Sequence, residues 1–430
     1  MAVPTLALIP AAQGSKFYSV LPTDGVGDFD FTRASTATRV NSKGLIEEVA
    51  SGVSRLDYTG GGCPHHLLEP QRTNLVAHSE DFSDSYWQKA RATITSNQII
   101  SPDGALTADM LTATDTAENY CQQNISSTVS GNKQTTSFFV KKGTSDFCHI
   151  LLWDIVANGA RQWFDLTNGI VGNSTTFGSG VSVDGAKMIN YGNDWYKCIV
   201  VFNNSNTPVR VRVSASNSNG LIDSTVGKTI YIFGAQLEQQ SYATSYIPNF
   251  GTALGVTRLA ETATGSGDAS TFNDSEGVLM AEISFPAPTS SQNQRIAISD
   301  GTVNNRVLIQ NIGGSANRLQ FYVIVNNVIS TGFFANVNDI TSFNKIAFKY
   351  KENDFSVWFN GIEILTDTSG ATFPIGTLTE LDFNGGNAGD FYGETKQLQY
   401  YNTALTDLEI ETLTSFTSFN EMALNLNYTI

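Results

Sequence analysis

Short segments in which apolar and polar residues alternate, each closed by Gly, Asn, Asp or Pro, recur along most of this chain. A period of two puts every second side chain on one face of an extended strand, so the pattern selects β-structure buried on one side. Leu319, Phe321, Val323 and Val325 alternate in RLQFYVIVNN, as do Ile346, Phe348 and Tyr350 in KIAFKYK. In GVLMAEISF the apolar set is Leu279, Ala281, Ile283 and Phe285. FSVWFNGIEIL places Asn360-Gly361 between two such runs, and this dipeptide tolerates the positive φ angles of a type I′ turn, which predicts a hairpin. The middle third has the same style in TTSFFVKKG, CHILLWDIV, RQWFDLTNGIVG, WYKCIVVFNN and KTIYIFGAQLE. In VRVRVSAS, Arg210 and Arg212 alternate with Val209, Val211 and Val213, giving one wet face and one dry face.

Helix signals are confined to TALTDLEIETLTSF at 403–416, where Thr406 or Asp407 is the expected cap and Leu408, Ile410 and Leu413 form a partial apolar stripe. Many short strands with turn signals between them predict sandwiches or barrels. At 430 residues the chain exceeds one ordinary core. Composition breaks at DYTGGGCP (57–64) and ETATGSGDASTFNDSEG (261–277) guide the division. The expected fold is all-β: two β-sandwich (jelly-roll) domains behind an extended N-terminal attachment segment, with one short helix near the C-terminus. The expected boundaries are 1–72 for that segment, 73–250 for the first sandwich, 251–276 for a linker, 277–417 for the second sandwich and 418–430 for a tail. No fixed-period repeat marks a solenoid or propeller.

Charge excludes several classes of function. Charged residues make up 15% of the chain, against roughly 25% in an average soluble protein. The formal net charge is −15, and Lys141-Lys142 and Arg210/Arg212 are the strongest basic clusters. Binding to nucleic acid or to an anionic membrane surface is therefore not expected. No run of 18 apolar residues exists to insert in a bilayer. The opening MAVPTLALIPAAQGSKF lacks the basic region of a secretory signal. Cys63, Cys121, Cys148 and Cys198 lack CxxC spacing and are expected to be free, mostly buried thiols, in keeping with assembly in a reducing cytoplasm.

A family resemblance rests on a series of motifs. FDFTRASTATRVNSKGLIEEV at 29–49 resembles the opening of a widespread group of phage structural proteins. The likeness continues through LLEPQRTNL, SEDFSDSYWQKARATITSN, SPDGALTADMLTAT, GNDWYKC and GAQLEQQSYATSYIPN, and closes at TRLAE. It covers most of residues 29–261 in order. It implies a carbohydrate-binding-module jelly roll in the middle and a concanavalin A-like (laminin-G-like) sandwich at the C-terminal end. It further implies a virion fibre or appendage, on head or tail, attached to other virion proteins through residues 1–60 and assembled as a homotrimer in the host cytoplasm. A structural decoration protein without glycan binding is the alternative reading, and a glycan-degrading enzyme with an unrecognised site is another.

Catalytic motifs are missing. No GxSxG elbow, HExxH, CxxC pair or phosphate-cradling loop occurs, so a non-enzymatic protein without a cofactor is expected. His65 and His66 are adjacent and, in a strand, point to opposite faces, a poor chelate. His78 precedes Ser79-Glu80-Asp81, expected to be a solvated or capping cluster, and His149 lies within an apolar strand. Asp103, Asp109, Asp382 and Asp390 stand in loop-like settings where a structural Ca²⁺ is conceivable, without EF-hand spacing to support it. Forty acidic residues supply carboxylate pairs by accident, so composition alone does not identify a glycosidase. A bacterial surface glycan requires an aromatic ring beside amide, acid and guanidinium groups. Trp153 with Asp154, and Trp163 with Arg161, fit that requirement, whereas Trp87, Trp195 and Trp358 have structural contexts.

Overall fold

The computed structural model describes residues 2–126, 132–154, 156–204, 208–287 and 292–416, so the expected tail lies outside the described residues. The architecture is all-β, with one short helix, Asp407–Thr414, among the described residues. Every strand pairing is antiparallel.

The first sandwich has two six-stranded sheets. One runs Ala92–Ile99, Ala108–Ala113, Thr229–Glu238, Asn132–Lys142, Trp195–Asn204, Val181–Asn190. The other runs Ile170–Phe177, Gly159–Asp165, Phe147–Asp154, Val209–Ser216, Tyr120–Ile125, Gln88–Ala90. Alternation aims Phe138, Ile150, Leu152, Val200, Phe202, Val211, Val213 and Ile232 into one core, where Phe82 and Trp87 join them.

The second sandwich sets a five-stranded sheet, Val328–Asn336, Arg318–Val325, Arg306–Asn311, Gln294–Ser299, Glu380–Asp382, against an eleven-stranded one. Leu279, Ala281, Ile283 and Phe285, expected on one face, share its core with Phe321, Val323, Ile346, Phe348 and Tyr350. Asn360 and Gly361 form the expected hairpin turn, with φ of +50° and +85° between the paired residues Phe359 and Ile362. Thr406 is the helix cap, in a capping box with Glu409. The helix sets Ile410 against Val278, Met280, Ala347 and Trp358 on the outer side of the larger sheet.

Two expected boundaries need correction. Residues 1–72 do not stand apart: strand Leu6–Gln13 pairs with Gly393–Tyr401, and Lys16–Leu21, Phe29–Thr32 and His65–Leu68 extend the same sheet. Phe17, Phe29 and Phe31 sit in the second sandwich's core, a burial no isolated arm provides. The hairpin Ala37–Val40/Ile46–Val49 lies against the first sandwich, with Ile46 packed among Phe139, Trp195, Phe233 and Tyr246. Residues 251–276 are no free linker either. Val256–Arg258 pairs with Arg72–Asn74, and Thr262–Thr264 pairs with Phe29–Thr32. Polar composition misleads here because the polar side chains are engaged internally.

Those engaged side chains form an ionic seam between the sandwiches. Arg55 is fully buried and donates from Nε to Glu261 at 2.8 Å, from Nη2 to Glu69 at 2.8 Å, and from Nη1 to the Thr38 carbonyl at 2.8 Å. Arg33 reaches Glu261 at 2.7 Å, and Arg258 reaches Glu69 at 2.7 Å and the Pro70 carbonyl at 2.6 Å. Ser245 N–H donates to Glu69 at 2.7 Å. Burial opposes ionisation of Glu69, but the Arg258 and Arg55 charges outweigh it and hold the carboxyl well below its ordinary range. Burial also works against the Arg55 cation, and Glu261 and Glu69 more than compensate. Such a network gains little over apolar packing, but an incomplete one costs several kcal/mol, so it enforces one arrangement of the segments it joins.

Candidate functional site

The wet face read from Arg210 and Arg212 lies on the second of the first sandwich's two sheets. Val209, Val211 and Val213 enter the core, so Arg210 and Arg212 point outward. Register sets Trp153 opposite Arg210, and Leu151 opposite both Arg212 and Arg161. The Arg210 and Arg212 guanidinium carbons lie 4.9 Å and 4.5 Å from the centroid of the half-buried Trp153 ring. Arg212 also stacks on Tyr120 at 3.9 Å, and Arg161 on Phe177 at 4.9 Å. Arg212 Nε donates to Gln122 at 2.6 Å, and Gln122 donates to Gln88 at 2.8 Å.

One carboxylate organises the cluster. Glu118 Oε1 lies 3.1 Å from Arg161, 3.5 Å from His149 Nε2 and 3.7 Å from Arg212. Burial tends to raise its pKa, but the His149 contact and the two guanidinium charges hold it down at about 2. His149 is fully buried, accepts or donates at Ser216 Oγ over 2.8 Å, and is held below its ordinary pKa, burial being the largest cause. Arg161, Arg210 and Arg212 against Glu118 leave two positive charges in excess on this face of a chain whose net charge is −15. Stacking fixes a guanidinium by its plane and leaves its N–H edge for in-plane acceptors such as a carboxylate or vicinal hydroxyls.

The four sequence-predicted residues divide here. Trp153 and Arg161 lie on this face, joined through Arg212 and Glu118. Asp154 accepts from the N–H groups of Val156, Ala157 and Asn158 at 2.8–3.0 Å, which makes it the organiser of the adjoining turn. Trp163 is out of a ligand's reach: it is 1% exposed, and its Nε1 donates to the Leu221 carbonyl at 2.7 Å. Glu118, Tyr120 and Phe177 are members that sequence reading missed: Tyr120 opens a strand beside VRVRVSAS, whereas Glu118 precedes that strand and Phe177 ends an edge strand further along the sheet, so no local pattern joins them.

The remaining tryptophans differ from Trp153. Trp87, Trp195 and Trp358 donate to the His78 carbonyl, the Ile100 carbonyl and Ser356 Oγ. Trp153 Nε1 is buried with no hydrogen-bond partner among the described residues.

The four aspartates considered for Ca²⁺ have protein donors instead. Asp103 accepts from Ala105 N–H, Asp109 from Phe82 and Asn97 N–H, Asp382 from Asn384 and Gly386 N–H, and Asp390 from the Tyr392 hydroxyl. Among the described residues no group of three His, Cys, Asp or Glu side chains is placed to hold a metal ion. The four cysteines are free thiols, with Cys63 exposed and the others buried. No described helix is long and apolar enough to cross a membrane.

No protein-family model matches the chain. No curated protein matches it either. Among solved structures it is similar to the CBM40 module of the Ruminococcus gnavus IT-sialidase bound to α2,3-sialyllactose, with 14% identity, a TM-score of 0.30, and coverage of 35% of this chain and 92% of that one. It is also similar to domain 4 of AbnA, an extracellular arabinanase from Geobacillus stearothermophilus in complex with arabinotriose, with 13% identity, a TM-score of 0.29, and coverage of 41% and 84%. Domains LG4–5 of the mouse laminin α1 chain match at 8% identity and a TM-score of 0.23, over 68% of this chain and 92% of that one.

Proposed function

We propose that this chain is a non-enzymatic glycan-binding appendage of a bacteriophage virion that uses the Trp153 face of its first sandwich to hold a bacterial surface glycan, with a preference for acidic sugars. The observation that carries the reading is the half-buried Trp153 ring with the Arg210 and Arg212 guanidiniums 4.9 Å and 4.5 Å from its centroid and an indole N–H that lacks a partner among the described residues. The ring supplies an apolar surface for sugar C–H groups, and the oriented guanidiniums supply donors for carboxylate and hydroxyl oxygens. Binding rather than bond cleavage suits Glu118, because a carboxyl held at about 2 by its cationic neighbours is a poor proton donor near neutral pH.

Attachment to other virion proteins belongs to the same proposal. Strands Leu6–Gln13 and Lys16–Leu21 are already paired within this chain, so docking uses side chains of that hairpin, where Ile9, Tyr18 and Val20 are exposed. A homotrimer would convert weak single contacts into firm adhesion, because later contacts become intramolecular.

The test is a glycan array and a host-cell adsorption assay on the purified chain and on Trp153→Ala. The reading expects binding of acidic glycans that Trp153→Ala abolishes. Binding to virions with none to cells or glycans would replace it with a decoration role, and release of reducing ends from host polysaccharide would replace it with an enzyme.

A further inference from the structure

A second recess lies where the two sandwiches meet, away from the Trp153 face. It has a volume of about 270 Å³ and is lined by Arg72, Gln240 and Tyr242 on the first sandwich's side and by Gln294, Asp390 and Tyr392 on the second's. The ionic seam positions it, since Arg258 holds the Pro70 carbonyl and Glu69 just before Arg72.

Its chemistry is specific. Arg72 stacks on Tyr242 with its guanidinium carbon 4.8 Å from the ring centroid. Tyr392 donates to Asp390 at 3.0 Å. Gln294 is 3% exposed, and its side-chain oxygen has no hydrogen-bond partner among the described residues. Arg72 Nε is buried and makes no hydrogen bond, lying 4.0 Å from Glu238 Oε1, while its Nη1 donates to the Gln71 carbonyl at 3.0 Å. A buried polar atom left without a hydrogen bond is costly, so a recess that carries one is suited to a ligand rich in donors and acceptors. One guanidinium and one carboxylate balance, which disfavours a charged ligand. Asp390, considered above for Ca²⁺, faces this cation-containing lining and is pushed up by burial, opposite to what a cation site requires.

We infer that this inter-sandwich recess is a binding site for a single uncharged sugar ring, held between Tyr242 and Tyr392 with its hydroxyls on Gln240, Gln294, Asp390 and Arg72. Phenol rings accept the C–H face of a pyranose, and amide side chains pair with vicinal hydroxyls. The volume suits one ring, being just under the roughly 300 Å³ at which drug-sized pockets begin. Because each sandwich contributes a tyrosine, occupancy ties the two together, and the site is independent of the Trp153 face.

The test is saturation-transfer NMR and thermal melting on the full chain with methyl glucoside, methyl galactoside, methyl mannoside and N-acetylglucosamine as probes. At least one probe is expected to bind saturably and to raise the melting temperature. That binding is expected to weaken more than about tenfold in Tyr242→Ala and Tyr392→Ala and to persist in Trp153→Ala. Gln294→Met, of similar volume, is expected to show the same loss and serves where a tyrosine variant does not fold. Absence of saturable binding by every probe, binding that survives all three substitutions, or binding lost in Trp153→Ala would overturn the inference.

Discussion

Arg55 and Glu261 lie 206 positions apart in the chain and meet as a fully buried ion pair, Nε to Oε1 at 2.8 Å. The contact joins the strand-rich N-terminal stretch to the segment between the sandwiches, so it reports whether those parts are correctly assembled.

Removing one partner leaves the other charge buried and uncompensated. Arg55→Ala is expected to lower unfolding stability by roughly 3–5 kcal/mol, measured by chemical denaturation. The double replacement Arg55→Met/Glu261→Leu also strips the buried Arg33 of its carboxylate, so it is expected to lose more than Arg55→Ala alone. Equal losses in both would argue against the seam.

Glu80 gives a pH signature of opposite sign to Glu69. Burial raises the Glu80 carboxyl to about 7, although the Tyr246 hydroxyl donates to it at 3.1 Å. The folded state therefore holds the proton more tightly, and this contribution is present below about pH 4.5 and lost as pH rises towards 7. Glu80→Gln is expected to gain melting temperature relative to the unsubstituted chain across that window. Glu69, held low by Arg258 and Arg55, contributes stability above about pH 4.5 that is lost on further acidification. Parallel melting curves for the two proteins from pH 4.5 to 7 would contradict the assignment for Glu80.

Gly361 occupies a φ of +85°, and a Cβ there would meet Ser415 Oγ at 2.6 Å, beyond the end of the helix. Gly361→Ala is expected to cost roughly 1–2 kcal/mol from backbone conformation alone, with the displaced Ser415 adding to it. Thermal unfolding reads this directly, and an unchanged melting temperature would refute the turn geometry.

Charge on the Trp153 face predicts a salt response. Three guanidiniums against Glu118 should make affinity for an acidic glycan fall as ionic strength rises from low salt to about 0.15 M, where the Debye length is about 8 Å. Affinity for a neutral glycan should change far less. Titration at two salt concentrations checks both.

Much of the fold was legible from local pattern. Leu279, Ala281, Ile283 and Phe285 face one core, the Asn360-Gly361 turn closes its hairpin, and Thr406 caps the helix. Those features depend on residues a few positions apart. The place of strand Leu6–Gln13 depends on Gly393–Tyr401, and no local pattern names so distant a partner. For the same reason the motif residues Arg33, Glu69, Arg258 and Glu261 gave no sign that they would meet. At the candidate site, alternation identified Arg210 and Arg212 as outward, but pairing them with Trp153 required the register. Trp153 and Trp163 carry equivalent patterns, and what separates a half-buried ring from a covered one is distant: the Leu221 carbonyl takes the Trp163 indole N–H and His149 packs beside the ring.

The indole N–H resonances test the central claim most directly. Trp87, Trp163, Trp195 and Trp358 donate to protein oxygens, whereas Trp153 has no such partner among the described residues. Titrating a bound bacterial glycan into nitrogen-15-labelled protein should shift the Trp153 indole signal saturably and leave the other four in place. Saturable binding of an acidic glycan that leaves Trp153 unmoved would contradict the account.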